Sequence, residues 1–303
     1  MNSIKKMMLS GALGCLISGM AYADGSSPQP VKPYWQDIQV VAVNKEKPRS
    51  SFMSYADRET ALTSRFEKSP YYSLLNGTWK FFFVDSYKDL PQNITDPSVN
   101  TSSWDDITVP GNWEVQGHGV AIYTNHGYEF KPKNPQPPLL PEANPVGVYR
   151  RDIEIPASWD NRDIYLHIGG AKSGLYVYLN GKEVGYSEDS KNPAEFLINK
   201  YLQPGKNVLT LKIFRWSTGS YLECQDFWRM SGIERDVFLW SQPKASIQDF
   251  RVVSTLDDTY TNGIFKLAVD LKNHTQETKN LNVGYELLDA KGNLVTSEAN
   301  DIW

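Results

Sequence analysis

The chain has 303 residues, 22% charged and 40% hydrophobic, with a net charge of −4. That composition describes a folded chain with material for a substantial core and two domains. No block of Lys and Arg survives past the first residues, which argues against nucleic acid or an anionic membrane surface as a partner. Aromatics reach 13%, with nine Trp and seventeen Tyr. Such a load favours strands and suits carbohydrate recognition, although an all-β core alone would also account for it.

Residues 1–23 read as a secretory signal. Lys5 and Lys6 form a basic start, MMLSGALGCLISGM (7–20) is apolar, and Ala21-Tyr22-Ala23 is a small-x-small cleavage signal. Asp24 then begins a mature chain exported to the periplasm or out of the cell. A lipobox reading through Cys15 is weaker, because apolar residues continue past it. No later segment is long and apolar enough to cross a membrane, so no insertion is expected after cleavage. Cys224 is then the remaining cysteine, without a partner for an internal disulfide and without a nearby His to activate it.

Residues 24–60 are polar and carry Pro28, Pro30, Pro33 and Pro48. They read as an extended N-terminal arm, with one short helix near 55–66. The main body runs over 61–243. NGTWKFFFV (76–84) opens the first clear strand after an Asn-Gly turn. FKPKNPQPPLLPEANPVG (130–147) carries six prolines, so no central strand runs there. It forms a stiff loop, with 117–130 as its companion on a rim. VYRRDIEIP (148–156), DIYLHIGG (163–170), SGLYVYLNG (173–181), EFLINKYL (195–202), NVLTLKIFRW (207–216) and RDVFLW (235–240) then read as strands. LYVYLNGKEVGYS contains an Asn-Gly hairpin signal. Short strands with frequent turns predict an antiparallel sandwich of jelly-roll type. A boundary falls at 241–250. Residues 244–303 hold three or four strands of a second, incomplete β-domain; an immunoglobulin-like sandwich needs about seven.

RWSTGSYLECQDFWRMSG (215–232) interleaves Arg215, Glu223, Asp226 and Arg229 with Trp216, Tyr221, Phe227 and Trp228. A sugar site uses both kinds of side chain: rings for the apolar face of a pyranose, carboxylates for its hydroxyls. Asp226 is the first candidate. A carboxylate among aromatics is paired, protonated or bound to a cation. Arg215 or Arg229 could pair it; oxygen-only ligation suits a hard cation. Asn125, in YTNHGY, is the second, with the turn role of an asparagine before His126-Gly127 as its bland alternative. His118, His126, His167 and His274 lack the spacing of a structural zinc site. Glycoside hydrolysis needs two facing carboxyl groups about 5 Å apart for retention. Neither Glu223 with Asp226 nor Glu188 with Asp189 can be chosen as such a pair from spacing alone.

The motifs carry a resemblance. Leu75-Asn76-Gly77 with Trp79, VPGNW (109–113), IYTN (122–125), EANPVG (142–147), VGYSEDSKNPAEF (184–196) and RWSTGSYLECQDFWRMSGIERDV (215–237) resemble the N-terminal part of glycoside hydrolase family 2, the large lac-type bacterial β-galactosidases. The resemblance covers about 74–240 and continues more weakly to the end. It implies a jelly-roll sugar-binding domain, then an immunoglobulin-like domain, then a TIM barrel that this chain lacks. Both catalytic glutamates lie in that barrel, so no catalytic residue is expected here and the isolated chain is expected to be inactive. The family performs retaining double displacement on terminal β-D-galactose. By resemblance Asn125 and Asp226 bind substrate, Asp226 also binds sodium, and Glu223, Trp228 and Arg229 support them. Magnesium is a further ion of the full enzyme, and a homo-oligomer its assembly. The alternatives are a non-catalytic carbohydrate-binding or complementing module, or another exo-glycosidase of the family, such as a glucuronidase or mannosidase. Two positions depart from the lac-type pattern. Thr218 replaces the aspartate of WSDGS, and Cys224 replaces that of LEDQD.

Overall fold

A computed structural model describes residues 32–130 and 134–302. The expected signal at 1–23 lies outside the described residues. In chain order the strands are β1 (Ala42–Val43), β2 (Tyr72–Leu74), β3 (Gly77–Val84), β4 (Asp105–Val109), β5 (Gly111–Asn112), β6 (Ile122–Thr124), β7 (Val146–Glu154), β8 (Arg162–Ile168), β9 (Ala171–Lys172), β10 (Gly174–Leu179), β11 (Lys182–Ser187), β12 (Ala194–Leu197), β13 (Lys206–Phe214), β14 (Phe227–Arg229), β15 (Gly232–Ile233), β16 (Val237–Pro243), β17 (Ala245–Leu256), β18 (Gly263–Asn273), β19 (Leu281–Leu288) and β20 (Leu294–Ile302). Among the described residues one α-helix, Arg58–Leu62, falls within the span expected for it, capped by the Asp57 side chain on the Thr60 amide.

Two antiparallel sheets share one core. The larger runs β1-β11-β10-β13-β7-β3-β4 and the smaller β12-β8-β16-β2. Period-two alternation explains the burial. Leu209, Leu211 and Ile213 of β13, Leu175, Val177 and Leu179 of β10, and Leu166, Ile168 and Leu239 from the smaller sheet enter the same core. Tyr176 and Tyr178 take the opposite face of β10, where Trp35, Trp104 and Phe214 cover them. β10 and β11 meet at the expected Asn-Gly turn. Asn180 and Gly181 sit at φ 53° and 77°, the two positive angles a type I′ hairpin requires. The expected strand over 195–202 is shorter, ending at Leu197 before a 3₁₀ turn at Asn199–Tyr201.

The tryptophan load is mostly structural. Trp35, Trp79, Trp113, Trp159 and Trp240 are each at most 1% exposed, whereas Trp228 is 52% exposed. The all-β core thus absorbs most of the aromatic composition, and Trp228 stands apart.

The described part of the N-terminal arm is laid onto the sheets. β1 adds an edge strand beside β11. Further on, Arg49 forms a bidentate pair with Glu195 at 2.9 Å through both Nε and Nη2. Its guanidinium also lies over the Trp240 and Phe52 rings. Glu195 accepts from Trp240 Nε1 at 3.0 Å and contacts His167 Nδ1 at 2.8 Å. Burial alone would raise the Glu195 carboxyl, but His167 and Arg49 outweigh it and hold it below the ordinary 4.5. A depressed folded value means that Glu195 stabilises the fold above its unfolded pKa, and that this stability is lost as pH falls through the folded value. Glu195→Gln is therefore expected to flatten the acid limb of the stability profile below about pH 4.5. Urea midpoints taken between pH 3 and pH 7 would show it; parallel acid limbs would contradict it.

Beyond 244, the four strands form two hairpins, β17-β18 and β19-β20. Ser50 binds the first: its amide donates to Asp249 Oδ1 at 2.8 Å and its hydroxyl to the Phe250 carbonyl at 2.7 Å. The second contacts the first through Phe265 and Tyr285, 5.4 Å between ring centroids.

Candidate functional site

The two motifs singled out in the sequence meet in space. β6 and β14 form a short antiparallel ribbon pairing Thr124 with Phe227, Tyr123 with Trp228 and Ile122 with Arg229. Asn125 follows the last paired residue of β6, and Asp226 precedes the first of β14. Both candidates thus leave the same end of the ribbon. The alternation of side chains sorts the rest. Tyr123 and Trp228 are exposed and 5.7 Å apart, while Arg229 is buried.

Asp226 is exposed, and the Tyr123 hydroxyl donates to its Oδ1 at 2.9 Å. This hydrogen bond and the adjacent negative charge push the Tyr123 hydroxyl above its ordinary pKa. Neither arginine considered as a partner reaches Asp226. Arg215 lies 3.6 Å from Glu114 and donates to the Val120 and Arg229 carbonyls at 2.9 and 3.2 Å. Arg229 lies 3.8 Å from Glu129 and donates to the Thr124 and Glu223 carbonyls at 3.3 and 3.4 Å. The two guanidiniums hold backbone of both ribbon strands and of the loop before them. Their planar fork of donors suits them to this.

Glu223 turns away from Asp226. It accepts from the Ser190 amide at 2.9 Å and the Ser190 hydroxyl at 2.6 Å. Burial raises its carboxyl, and the Ser190 donors work against that. Glu188 accepts from Tyr186, Thr218 and Gly219, and Asp189 accepts from Asn192. The four acids considered for a hydrolytic pair therefore bind four different sets of partners. Asn125 Oδ1 contacts His126 Nδ1 at 2.6 Å. The other histidines also have local partners: His118 packs edge-on against Phe81, His167 meets Glu195 and His274 meets Asp163. Among the described residues no group of three or more His, Cys, Asp and Glu side chains is placed to hold a metal ion.

The loops expected to form a rim are pinned to the segment 215–232. The Trp216 indole donates to Glu129 at 3.0 Å, and Asn144 bonds the Trp216 backbone at 2.8 and 3.1 Å. Tyr221 donates to the Leu139 carbonyl and packs against Tyr128 and Phe130. A separate cleft of about 330 Å³ lies between the arm and the smaller sheet, lined by Phe52, Phe66, His167 and Phe238 among others. None of the ribbon residues lines it.

The description "Glycosyl hydrolases family 2, sugar binding domain" matches residues 72–243. The chain belongs to glycosyl hydrolase family 2. A β-galactosidase of Priestia megaterium is 39% identical over 262 residues, covering 85% of this chain and 25% of that protein. One from Halalkalibacterium halodurans is 38% identical over 267 residues, covering 86% and 26%. The chain thus spans about a quarter of the length of the curated relatives it matches. Among solved structures, a Bacteroides uniformis β-glucuronidase superposes with a TM-score of 0.61 at 21% identity, over 76% of this chain and 26% of that one. That similarity establishes a shared all-β fold.

Within this family-2 domain, both departures from the lac-type pattern find a place. Thr218 donates to the buried carboxylate of Glu188 at 2.7 Å. Cys224 is half-buried, its thiol 3.2 Å from the Ser220 carbonyl, and burial pushes that thiol up, away from thiolate chemistry. Tyr123, Glu114 and Glu129 were not singled out in the sequence. IYTN contains Tyr123 and WE contains Glu114, but nothing local marks either as the partner of a residue about a hundred positions away.

Proposed function

We propose that this chain is the non-catalytic front of an exported family-2 exo-glycosidase. Asn125 and Asp226 form one wall of its sugar and sodium site, and Trp228 presents an apolar face beside them. In this reading the body at 61–243 is a jelly-roll sugar-binding domain and 244–303 the start of an immunoglobulin-like one. The observation that carries the proposal is the ribbon itself, which brings an amide and an exposed carboxylate to one end. The β-galactosidase relatives, at 38–39% identity, make β-galactosides the first substrate class to test.

The donor set fits sodium better than a higher-charge ion. One exposed carboxylate and one amide are hard oxygen donors, too few for a closed cage. A sodium ion there would take its remaining ligands from the sugar, water or the rest of a longer chain, and would supply charge stabilisation to a bound hydroxyl. We assign magnesium no residue in this chain. Both catalytic carboxyls of a retaining mechanism would come from elsewhere in the polypeptide.

The test is Asp226→Asn in the full-length enzyme, assayed on aryl β-galactosides, β-glucuronides and β-mannosides with sodium varied. Removing a charge-assisted contact worth about 1.5–3 kcal/mol is expected to weaken sodium response and galactoside binding by roughly 10- to 100-fold. The unfolding midpoint should stay within a degree or two, since Asp226 is exposed. Unchanged sodium response and kinetics would reject the assignment. Turnover by residues 24–303 alone would reject the non-catalytic reading.

A further inference from the structure

We infer that Tyr123 is a positioning residue that sets the orientation, and so the cation affinity, of the Asp226 carboxylate. The inference rests on the reading of Asp226 given above. Asp226 stands one residue outside the paired part of the ribbon, so the backbone ladder does not fix it. An exposed aspartate otherwise samples several rotamers and presents either oxygen. Here the Tyr123 hydroxyl donates to Oδ1 at 2.9 Å. Oδ2 has no bonded partner among the described residues. One oxygen is thus held and the other left as a single acceptor, an arrangement suited to monodentate ligation of a hard cation.

Tyr123 can hold that position because it is itself held. It lies in β6 directly opposite Trp228, with backbone pairing on both sides of it. Its ring packs against the Trp228 ring at 5.7 Å and a tilt of 57°. Cross-strand aromatic pairs of this kind fix both side chains. Tyr123 and Trp228 nevertheless remain 56% and 52% exposed. The pair therefore contributes little to the core, and an exposed ring with a hydroxyl on a carboxylate is better placed to orient a ligand group than to hold the fold.

The experiment compares wild type, Tyr123→Phe and Asp226→Asn in the full-length enzyme. Sodium is titrated against potassium as background, read by the ²³Na line width and by the sodium-dependent shift of the unfolding midpoint. Phenylalanine keeps the ring pair and removes only the donor. Loss of a group that orients a ligand typically costs 10- to 100-fold in metal affinity. Tyr123→Phe is expected to weaken sodium binding about 10-fold and to reduce discrimination against potassium. If Asp226→Asn abolishes the sodium response and Tyr123→Phe leaves it at the wild-type value, the role of Tyr123 is overturned while the Asp226 site stands. If Asp226→Asn leaves the response intact, the Asp226 site is wrong and the role of Tyr123 falls with it.

Discussion

Replacing Asp163 by asparagine is expected to cost about 3–5 kcal/mol of stability, the usual price of stranding a buried partner charge. Asp163 on β8 accepts from Lys272 Nζ of β18 at 2.9 Å, and each side chain is 5% exposed. The same oxygen lies 2.7 Å from His274 Nδ1, and Lys272 also touches the Tyr165 hydroxyl. Burial pulls the Lys272 ammonium below its ordinary pKa; the hydrogen bond and charge of Asp163 are the main forces against that, with Glu46 adding to them. Without Asp163 the ammonium must deprotonate, find Glu46 or draw in water. This contact ties the first C-terminal hairpin to the smaller sheet, so its loss should also expose 245–302 to protease. The double variant Asp163→Asn/Lys272→Met is expected to recover more than half of the loss, since it removes the stranded charge while keeping much of the packing volume. Urea denaturation followed by tryptophan fluorescence decides it. A single-variant loss under about 1 kcal/mol would show that the pair contributes little.

Thr218→Asp restores the lac-type residue and is nonetheless expected to destabilise this protein by about 2–3 kcal/mol at neutral pH. Glu188 is 3% exposed and already accepts from the Tyr186 hydroxyl at 2.7 Å, Thr218 Oγ1 at 2.7 Å and the Gly219 amide at 2.6 Å. Burial raises its carboxyl above the ordinary 4.5, against those donors. Such a group favours the fold most when protonated, below its unfolded pKa, and that contribution is lost as pH rises through the folded value. An aspartate at 218 would replace a donor by a second carboxylate. Its cost should accordingly be greatest at neutral pH and shrink toward pH 4, where one of the two acids carries a proton. Glu188→Gln should rescue it, because the amide can donate to the new carboxylate. A double-mutant cycle on thermal unfolding at pH 7 and pH 4.5 is expected to give a coupling above 1 kcal/mol at the higher pH. Additive effects would show that the two positions do not act as a donor–acceptor pair. The site is affected as well, since Thr218–Tyr221 is the turn from which the chain runs to Asp226.

Much of this architecture was legible in the residues. Apolar and aromatic runs bounded by turn residues marked β3, β7, β8, β10, β13 and β16 to within a few residues, because those signals are local. Asn180-Gly181 announced its hairpin because few pairs tolerate two positive φ angles. The motifs around Asn125 and Asp226, singled out through their resemblance to family 2, lie on two segments that pair in the structure. The tryptophan count, by contrast, was ambiguous: Trp113 and Trp228 look alike in composition, and only packing makes one core and the other surface.

What the tertiary structure alone decided is which charge meets which. Arg229 follows Asp226 by three residues and Arg215 precedes it by eleven, yet they serve Glu114, Glu129 and backbone carbonyls, while Asp226 is held by a tyrosine 103 positions earlier. The physical reason is that alternation along a strand encodes the face a side chain takes but not the strand laid beside it. β6 and β14 are too short and too distant in sequence to declare each other. Their pairing is set by the loops and the buried guanidiniums behind them, and only that pairing turns an asparagine and an aspartate into neighbours.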